Sequence, residues 1–130
     1  MMGKIIQVVE DEGLIALSLT EILEKNGYRI TDAVNSGEMA LKALEKSPKP
    51  DLILMDIGLA GSLDGIETAK KIRHQYTIPI IFLTAYSDRS RIGQAKEISS
   101  SAYVTKPVPE EDLLAAIRDT LEGQGGRHVK

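Results

Sequence analysis

An α/β fold built on a five-stranded parallel sheet is what this sequence predicts, and three observations predict it. Five short apolar runs recur at a steady interval: KIIQVV (4–9), YRITDAV (28–34), DLILM (51–55), IPIIFLT (78–84) and AYVT (102–105). They are rich in Ile, Val and Leu and mostly continuous rather than alternating, the pattern of strands covered on both faces. Between them lie segments of helix length with apolar residues at helical spacing. Strands and helices alternating in this way close into a parallel sheet through right-handed crossovers.

Each element has its own signal. The first run stops on Glu10-Asp11-Glu12, and the helix after it carries Ile15, Leu19, Ile22 and Leu23 at i, i+4, i+7 and i+8. Gly27 stands where a helix C-terminal glycine belongs. Ala40, Leu41 and Leu44 mark the second helix, and Ile66, Ala69 and Ile72 the third. Asp64, with Glu67 three residues on, resembles a capping box at the start of that third helix. The fourth, around 88–98, is weakest, with Ile92, Ala95 and Ile98 on its apolar side. The fifth has Leu113, Leu114, Ile117 and Leu121 on one stripe, and Pro109 suits its first turn. The domain is expected to span 1–122, with GQGGRHVK (123–130) as a flexible C-terminal tail.

A chain of 130 residues fits one domain with a sizeable core. With 42% hydrophobic and 27% charged residues the composition is globular rather than disordered. A net charge of -3 argues against nucleic acid as a partner, since a nucleic-acid binder usually shows a basic footprint. No cysteine is present, which excludes disulfides, thiol catalysis and cysteine metal sites. The start, MMGKIIQVVEDEG, breaks its apolar run with charge within a few residues, so neither a signal peptide nor a membrane span is expected. A soluble cytoplasmic protein follows as the expectation.

In parallel sheets of this kind, function gathers beyond the carboxyl ends of the strands. The first run ends in Glu10-Asp11-Glu12, the third in Asp56, the fourth in Thr84-Ala85 and the fifth in Lys106-Pro107. If those strands are neighbours, carboxylates, a hydroxyl and an ammonium share one sheet edge. Packed carboxylates repel, and the single charge of Lys106 does not balance Glu10, Asp11 and Asp56. A hard divalent ion such as Mg²⁺ would complete the balance, because it favours oxygen ligands. A metal beside a carboxylate nucleophile, with a lysine and a hydroxyl nearby, is equipment for phosphoryl transfer.

Taken singly, each residue has an ordinary reading. Glu10–Glu12 is a solvated turn, Asp56 a loop cap, Thr84 a β-branched strand residue, Lys106 a surface lysine and Tyr103 a core or rim aromatic. Their convergence on one edge favours a site. His74 and His128 have no partner ligands nearby in sequence and are read as solvated.

The segments VVEDE (8–12), LILMDIGL (52–59), IIFLTAY (80–86) and AYVTKPV (102–108), in this order and spacing, resemble the receiver domain of two-component response regulators. The resemblance covers residues about 4 to 121 and implies a doubly wound (βα)5 flavodoxin-like fold with strand order 2-1-3-4-5. It makes Asp56 the phosphoacceptor for a sensor histidine kinase. Glu10 and Asp11 match the acidic pair, with Asp11 the more direct Mg²⁺ ligand (Mn²⁺ as an alternative ion), and the carbonyl of Gly58 is a further ligand. Lys106 would pair with the phosphoryl oxygens, across a cis bond to Pro107. Thr84 would turn its hydroxyl to the phosphoryl group and Tyr103 would rotate inward with it, a two-state switch. Ala85 is small and leaves phosphodonors room.

The chain departs from the family pattern in three places. After Asp56 it reads DIGLAGSLDGIE, with Leu59-Ala60 in place of Met-Pro and one extra residue in the loop, which includes the glycine Gly61. The first acidic residue is Glu10 rather than aspartate. The usual Gly-Ala before the fifth strand is Ser99-Ser100, which puts a serine where positive φ is expected at Ser99.

The resemblance implies a stand-alone receiver whose output is a protein partner or a homodimer formed through helix four, strand five and helix five. A non-phosphorylated interaction module with the same fold is the alternative. An aspartyl-phosphate hydrolase of the haloacid type would want a second aspartate where Gly58 stands. A nucleotide-binding flavodoxin-like protein would want a glycine-rich phosphate loop, and neither G-x-x-x-x-G-K-[ST] nor G-x-G-x-x-G is present.

Overall fold

The computed structural model describes residues 3–46, 48–59, 61–85 and 87–123. Five strands alternate with five helices in the described residues. The strands are β1 (Ile5–Val9), β2 (Arg29–Val34), β3 (Leu52–Asp56), β4 (Ile80–Ala85) and β5 (Ser101–Lys106). The helices are α1 (Gly13–Lys25), α2 (Gly37–Ala43), α3 (Gly65–Gln75), α4 (Arg89–Lys96) and α5 (Glu110–Gly123). All strands pair in parallel, in the order β2-β1-β3-β4-β5 expected of a doubly wound fold. Gly123 closes α5, and the remainder of the expected tail, with His128, lies outside the described residues.

β3 is buried along its whole length because apolar layers cover both of its faces. On one face Ile53 and Met55, with Phe82, pack against Ala40, Ile66, Ala69 and Ile72 of α2 and α3. On the other, Leu52 and Leu54, with Ile81 and Leu83, pack against Leu19, Leu23, Leu113 and Ile117 of α1 and α5. This double cover is why the strands read as continuous apolar runs. The aspartate that opens DLILM holds the amino edge: Ile5 N–H donates to Asp51 Oδ2 at 2.8 Å, and Asp51 N–H to the Ile5 carbonyl at 2.7 Å.

Boundaries move by a residue or two where backbone chemistry decides. β4 begins at Ile80 rather than 78, since Pro79 has no N–H to give the ladder; its carbonyl still accepts from Ile53. The Pro109 carbonyl accepts from Asp112 and Leu113, which puts Pro109 just before α5 instead of in its first turn. Asp64 caps α3 through a bond from Glu67 N–H at 2.9 Å, and Ser36 caps α2 through one from Met39 N–H at 3.1 Å. Gly27 ends α1, its N–H bonded to the Glu24 carbonyl.

The two family departures in the backbone are resolved. The longer loop after β3 is folded down rather than looped out. Leu59 is buried, Gly61 takes a φ of 103° that suits glycine, and the Ser62 hydroxyl donates to the Glu38 carboxylate at the start of α2. Before β5, the residue with positive φ is Ser100 (55°), not Ser99. Arg73 of α3 holds this turn, donating to the carbonyls of Ser99 (2.9 Å), Ser100 (3.3 Å) and Tyr76 (2.8 Å).

Ser100→Gly is expected to raise the thermal midpoint, since removing the Cβ relieves about 1 kcal/mol of left-handed strain. Arg73→Ala should lower stability by on the order of 2 kcal/mol by stripping donors from three carbonyls. Chemical denaturation of both variants checks the pair, and a destabilised Ser100→Gly would contradict the account of the turn.

Candidate functional site

Register decides what meets at the carboxyl edge of the sheet. Val9 is level with Met55, Asp56 with Leu83, Thr84 with Thr105 and Ala85 with Lys106. Glu10, Asp11 and Asp56 therefore emerge together, each offering a carboxylate oxygen within 4.8 Å of the others. Lys106, at the end of β5, reaches back across Ala85, its Nζ 3.3 Å from Asp56 Oδ1 and 3.8 Å from Glu10 Oε1. The Lys106-Pro107 bond is cis, as expected.

Burial sets the electrostatics. Glu10 is 2% exposed and Asp56 7%, while Asp11 sits half-buried at the rim. Asp56 Oδ1 also accepts from the Gly58 N–H at 3.1 Å, so two donors fix that oxygen. Glu10 Oε2 accepts from the Glu12 N–H at 3.1 Å, but Oε1 has no hydrogen-bond partner. Burial raises the Glu10 carboxyl to about pH 7, and the charges of Asp56 and Asp11 push the same way. The Glu12 N–H and the Lys106 ammonium oppose this without cancelling it.

The donor set fits a hard divalent cation. Three carboxylates face one ammonium, and a buried carboxylate oxygen, Glu10 Oε1, lacks a hydrogen-bond partner. Two of those carboxylates are buried rather than lying on an open acidic surface.

Of the residues expected at the site, Glu10, Asp11, Asp56, Gly58 and Lys106 come together. Thr84 is buried on the adjacent strand, with its hydroxyl donated to the Ala85 carbonyl at 3.3 Å. Tyr103 lies three residues before Lys106 on β5, level with Phe82. It is half-buried against the α3 and α4 side of the core, with the Lys96 ammonium 5.7 Å from its ring centre.

Two neighbours were not anticipated. Gly65 opens α3 directly beneath the site, and a Cβ there would come within 2.4 Å of the Asp56 carbonyl oxygen. Only glycine lets the helix approach so closely, and the Asp-Gly pair before the apolar stripe was the available signal. Arg91, on α4, pairs with Asp64 at 3.7 Å and Asp88 at 3.8 Å. The three-residue spacing from Asp88 was visible in sequence; the tie to Asp64 across the loop was not.

The Glu10 shift has a definite sign. Below pH 4.5 the folded and unfolded chains both hold the proton; between pH 4.5 and about 7 only the folded chain keeps it. Stability present in acid is therefore lost as pH rises to about 7, on the order of 3 kcal/mol from this group. Glu10→Gln should flatten that slope when unfolding is followed in chelator, and an unchanged slope would place its origin elsewhere.

Comparison with known proteins gives the same family from independent directions. The model of the response regulator receiver domain matches residues 6–118. The transcriptional regulatory protein PdtaR of Mycobacterium tuberculosis is 37% identical over 110 residues, covering 85% of this chain and 53% of that protein. The chain spans about half the length of the curated relatives it matches. The solution structure of the receiver domain of the PhyR response regulator from Erythrobacter litoralis has a TM-score of 0.83 at 32% identity, covering 100% of this chain and 98% of that one. A two-component response regulator from Clostridium difficile has a TM-score of 0.82 at 29% identity, covering 92% and 96%. No helix among the described residues is long and apolar enough to cross a membrane. With its sheet order, its acidic edge and these likenesses in agreement, the chain belongs to the response regulator receiver domains of two-component signal transduction.

Proposed function

We propose that the chain is a phosphoacceptor: Asp56 takes a phosphoryl group from the phosphohistidine of a sensor histidine kinase, in a Mg²⁺-dependent reaction in the cytoplasm. The observation that carries this reading is the Lys106 ammonium 3.3 Å from Asp56 Oδ1, beside two further carboxylates. Glu10, Asp11, Asp56 and the Gly58 carbonyl would hold the ion, with Mn²⁺ able to replace it. When bound, the ion supplies positive charge to the oxygens of the transferring group.

The chain's own groups do the rest. Asp56 Oδ1 is fixed by Gly58 N–H and Lys106, which leaves Oδ2 to attack phosphorus. The new O–P bond forms as the P–N bond of the donor breaks, and the imidazole leaves with that electron pair and takes up a proton. Little acid–base work is needed; positioning and charge neutralisation carry the step. The buried strand beneath Asp56 supplies the positioning, and Lys106 neutralises from the side of β5. A donor domain has to approach this edge, and the exposed Leu14 and Leu17 of α1 offer it an apolar rim.

The switch uses residues now turned elsewhere. The Thr84 hydroxyl would exchange the Ala85 carbonyl for a phosphoryl oxygen, and Tyr103 would turn into the space left behind. The output face is then α4, β5 and α5, where a cleft of about 750 Å³ is lined by Lys96, Tyr103, Pro107 and Asp112. A downstream protein or a second copy would read it. The proposed activity is signalling: the chain catalyses only its own phosphoryl transfer and its own dephosphorylation.

Incubation with acetyl phosphate and Mg²⁺ should add the mass of one phosphoryl group to the wild type and nothing to Asp56→Asn. No gain, or a gain that persists in the variant, favours an interaction module that is not phosphorylated. Lys106→Ala should be phosphorylated to a smaller extent and should fail to couple Thr84 to the modification. Equal dimer or partner affinity in phosphorylated wild type and Lys106→Ala would contradict that coupling.

A further inference from the structure

Arg91 is a cation near Asp56 that the proposed transfer leaves without a role. It lies on the first turn of α4. The position between it and the phosphoacceptor is Gly58, which has no side chain and is exposed. A Cβ on Gly58 would stand 3.9 Å from Arg91 Nη1 and 3.9 Å from Asp56 Oδ1. Among the described residues, then, a notch at Gly58 lies between the carboxylate and the guanidinium, with no side chain of its own to fill it.

The present ties of Arg91 are weak ones. Its partners Asp64 and Asp88 are at 3.7 and 3.8 Å, longer than charge-assisted hydrogen bonds, and the side chain is 38% exposed. A phosphoryl group on Asp56 would put two negative charges and three acceptor oxygens at the inner end of the notch. A planar guanidinium fork suits that target better than it suits two separate carboxylates.

We propose that Arg91 closes through the Gly58 notch onto the phosphoryl group of Asp56 and shields it from water, a role that rests on the phosphoacceptor reading above. The reaction it opposes is hydrolysis. A water oxygen attacks phosphorus, the bond to the Asp56 oxygen breaks, and the carboxylate and inorganic phosphate are released with the proton from water. A guanidinium also offsets charge on the phosphoryl oxygens, which by itself would speed hydrolysis, so the exclusion of water is the effect that outweighs it. What it removes is the open approach for water over Gly58. The loop after β3 matters here because Asp64, at its end, holds Arg91 at the rim until a stronger anion appears.

Intact-mass time courses after acetyl phosphate loading and desalting test this on the full chain. Arg91→Ala should lose the phosphoryl group roughly tenfold faster than wild type, the equivalent of one hydrogen bond to a charged group. It should also need more beryllofluoride to saturate. Arg91→Lys should fall between the two, because an ammonium keeps the charge but not the fork. Asp88→Asn frees Arg91 from one carboxylate and should lengthen the lifetime, an opposite change that a merely structural role would not produce. Equal or slower loss in Arg91→Ala, with wild type phosphorylated and the variant folded by its thermal midpoint, overturns the shielding role alone. Failure of the wild type to take up phosphoryl overturns the parent reading and this one with it.

Discussion

One ammonium set against buried carboxylates is the constraint around which the rest of this structure is arranged. Glu10 and Asp56 lie almost out of water, and Lys106 is close enough to both to hold the edge together. Taking charges from water is expensive, and mutual attraction offsets that cost only when geometry is tight. Tight geometry here comes from the sheet. β3 is sealed on both faces, and its register with β1 and β4 fixes where the chain must emerge. The cost is not fully offset, as the upward shift of Glu10 shows. On the proposed reading, that residual imbalance is what would draw a cation from solution to the edge, and the cation would in turn make room for a phosphoryl group.

Sequence made the strands and the site legible for the same physical reason. Strands covered on both faces need unbroken apolar runs, so any carboxylate or ammonium at the end of a run stands out. Asp56 after DLILM and Lys106 after AYVT were visible in this way. What stayed hidden depends on contacts between distant residues. The serine with positive φ is Ser100 rather than Ser99 because the start of β5 and the grip of Arg73, some 27 residues earlier, set the turn together. Neither is a local signal. Arg91 escaped for a similar reason: its partner Asp64 lies across the loop, and the notch it faces is defined by the absence of a side chain at Gly58.

The extra residue after Asp56 is accommodated without disturbing the acidic edge. Leu59 goes into the core, Gly61 makes the turn, and Ser62 is tied to Glu38 of α2. The insertion is therefore tied to the core and to α2 instead of lengthening a free loop. Asp64, at the end of this segment, caps α3 and faces Arg91 in the same position. One aspartate thus links the length of the loop, the start of α3 and the first turn of α4. A change in the charge at Asp56 has a short physical route to α4 by way of that link.

The opposite side of the site has a second route, through β5. Lys106 touches Asp56 and Glu10 at once, so drawing it towards a phosphoryl group would pull it from Glu10. Lys106 is the last residue of an edge strand in which every residue is only half-buried. An edge strand has a ladder partner on one side alone, so a shift at its end is resisted less than in β3. Tyr103 lies three residues back on this strand, half-buried and beside the Lys96 ammonium, with room on its outer side. Thr84 stands between the two routes, its hydroxyl held by a neighbouring carbonyl at 3.3 Å, a long bond for a hydroxyl donor. On the proposed reading, the rigid centre of the sheet would fix where charge arrives, and the half-buried edge strand and the first turn of α4 would be the parts to answer it.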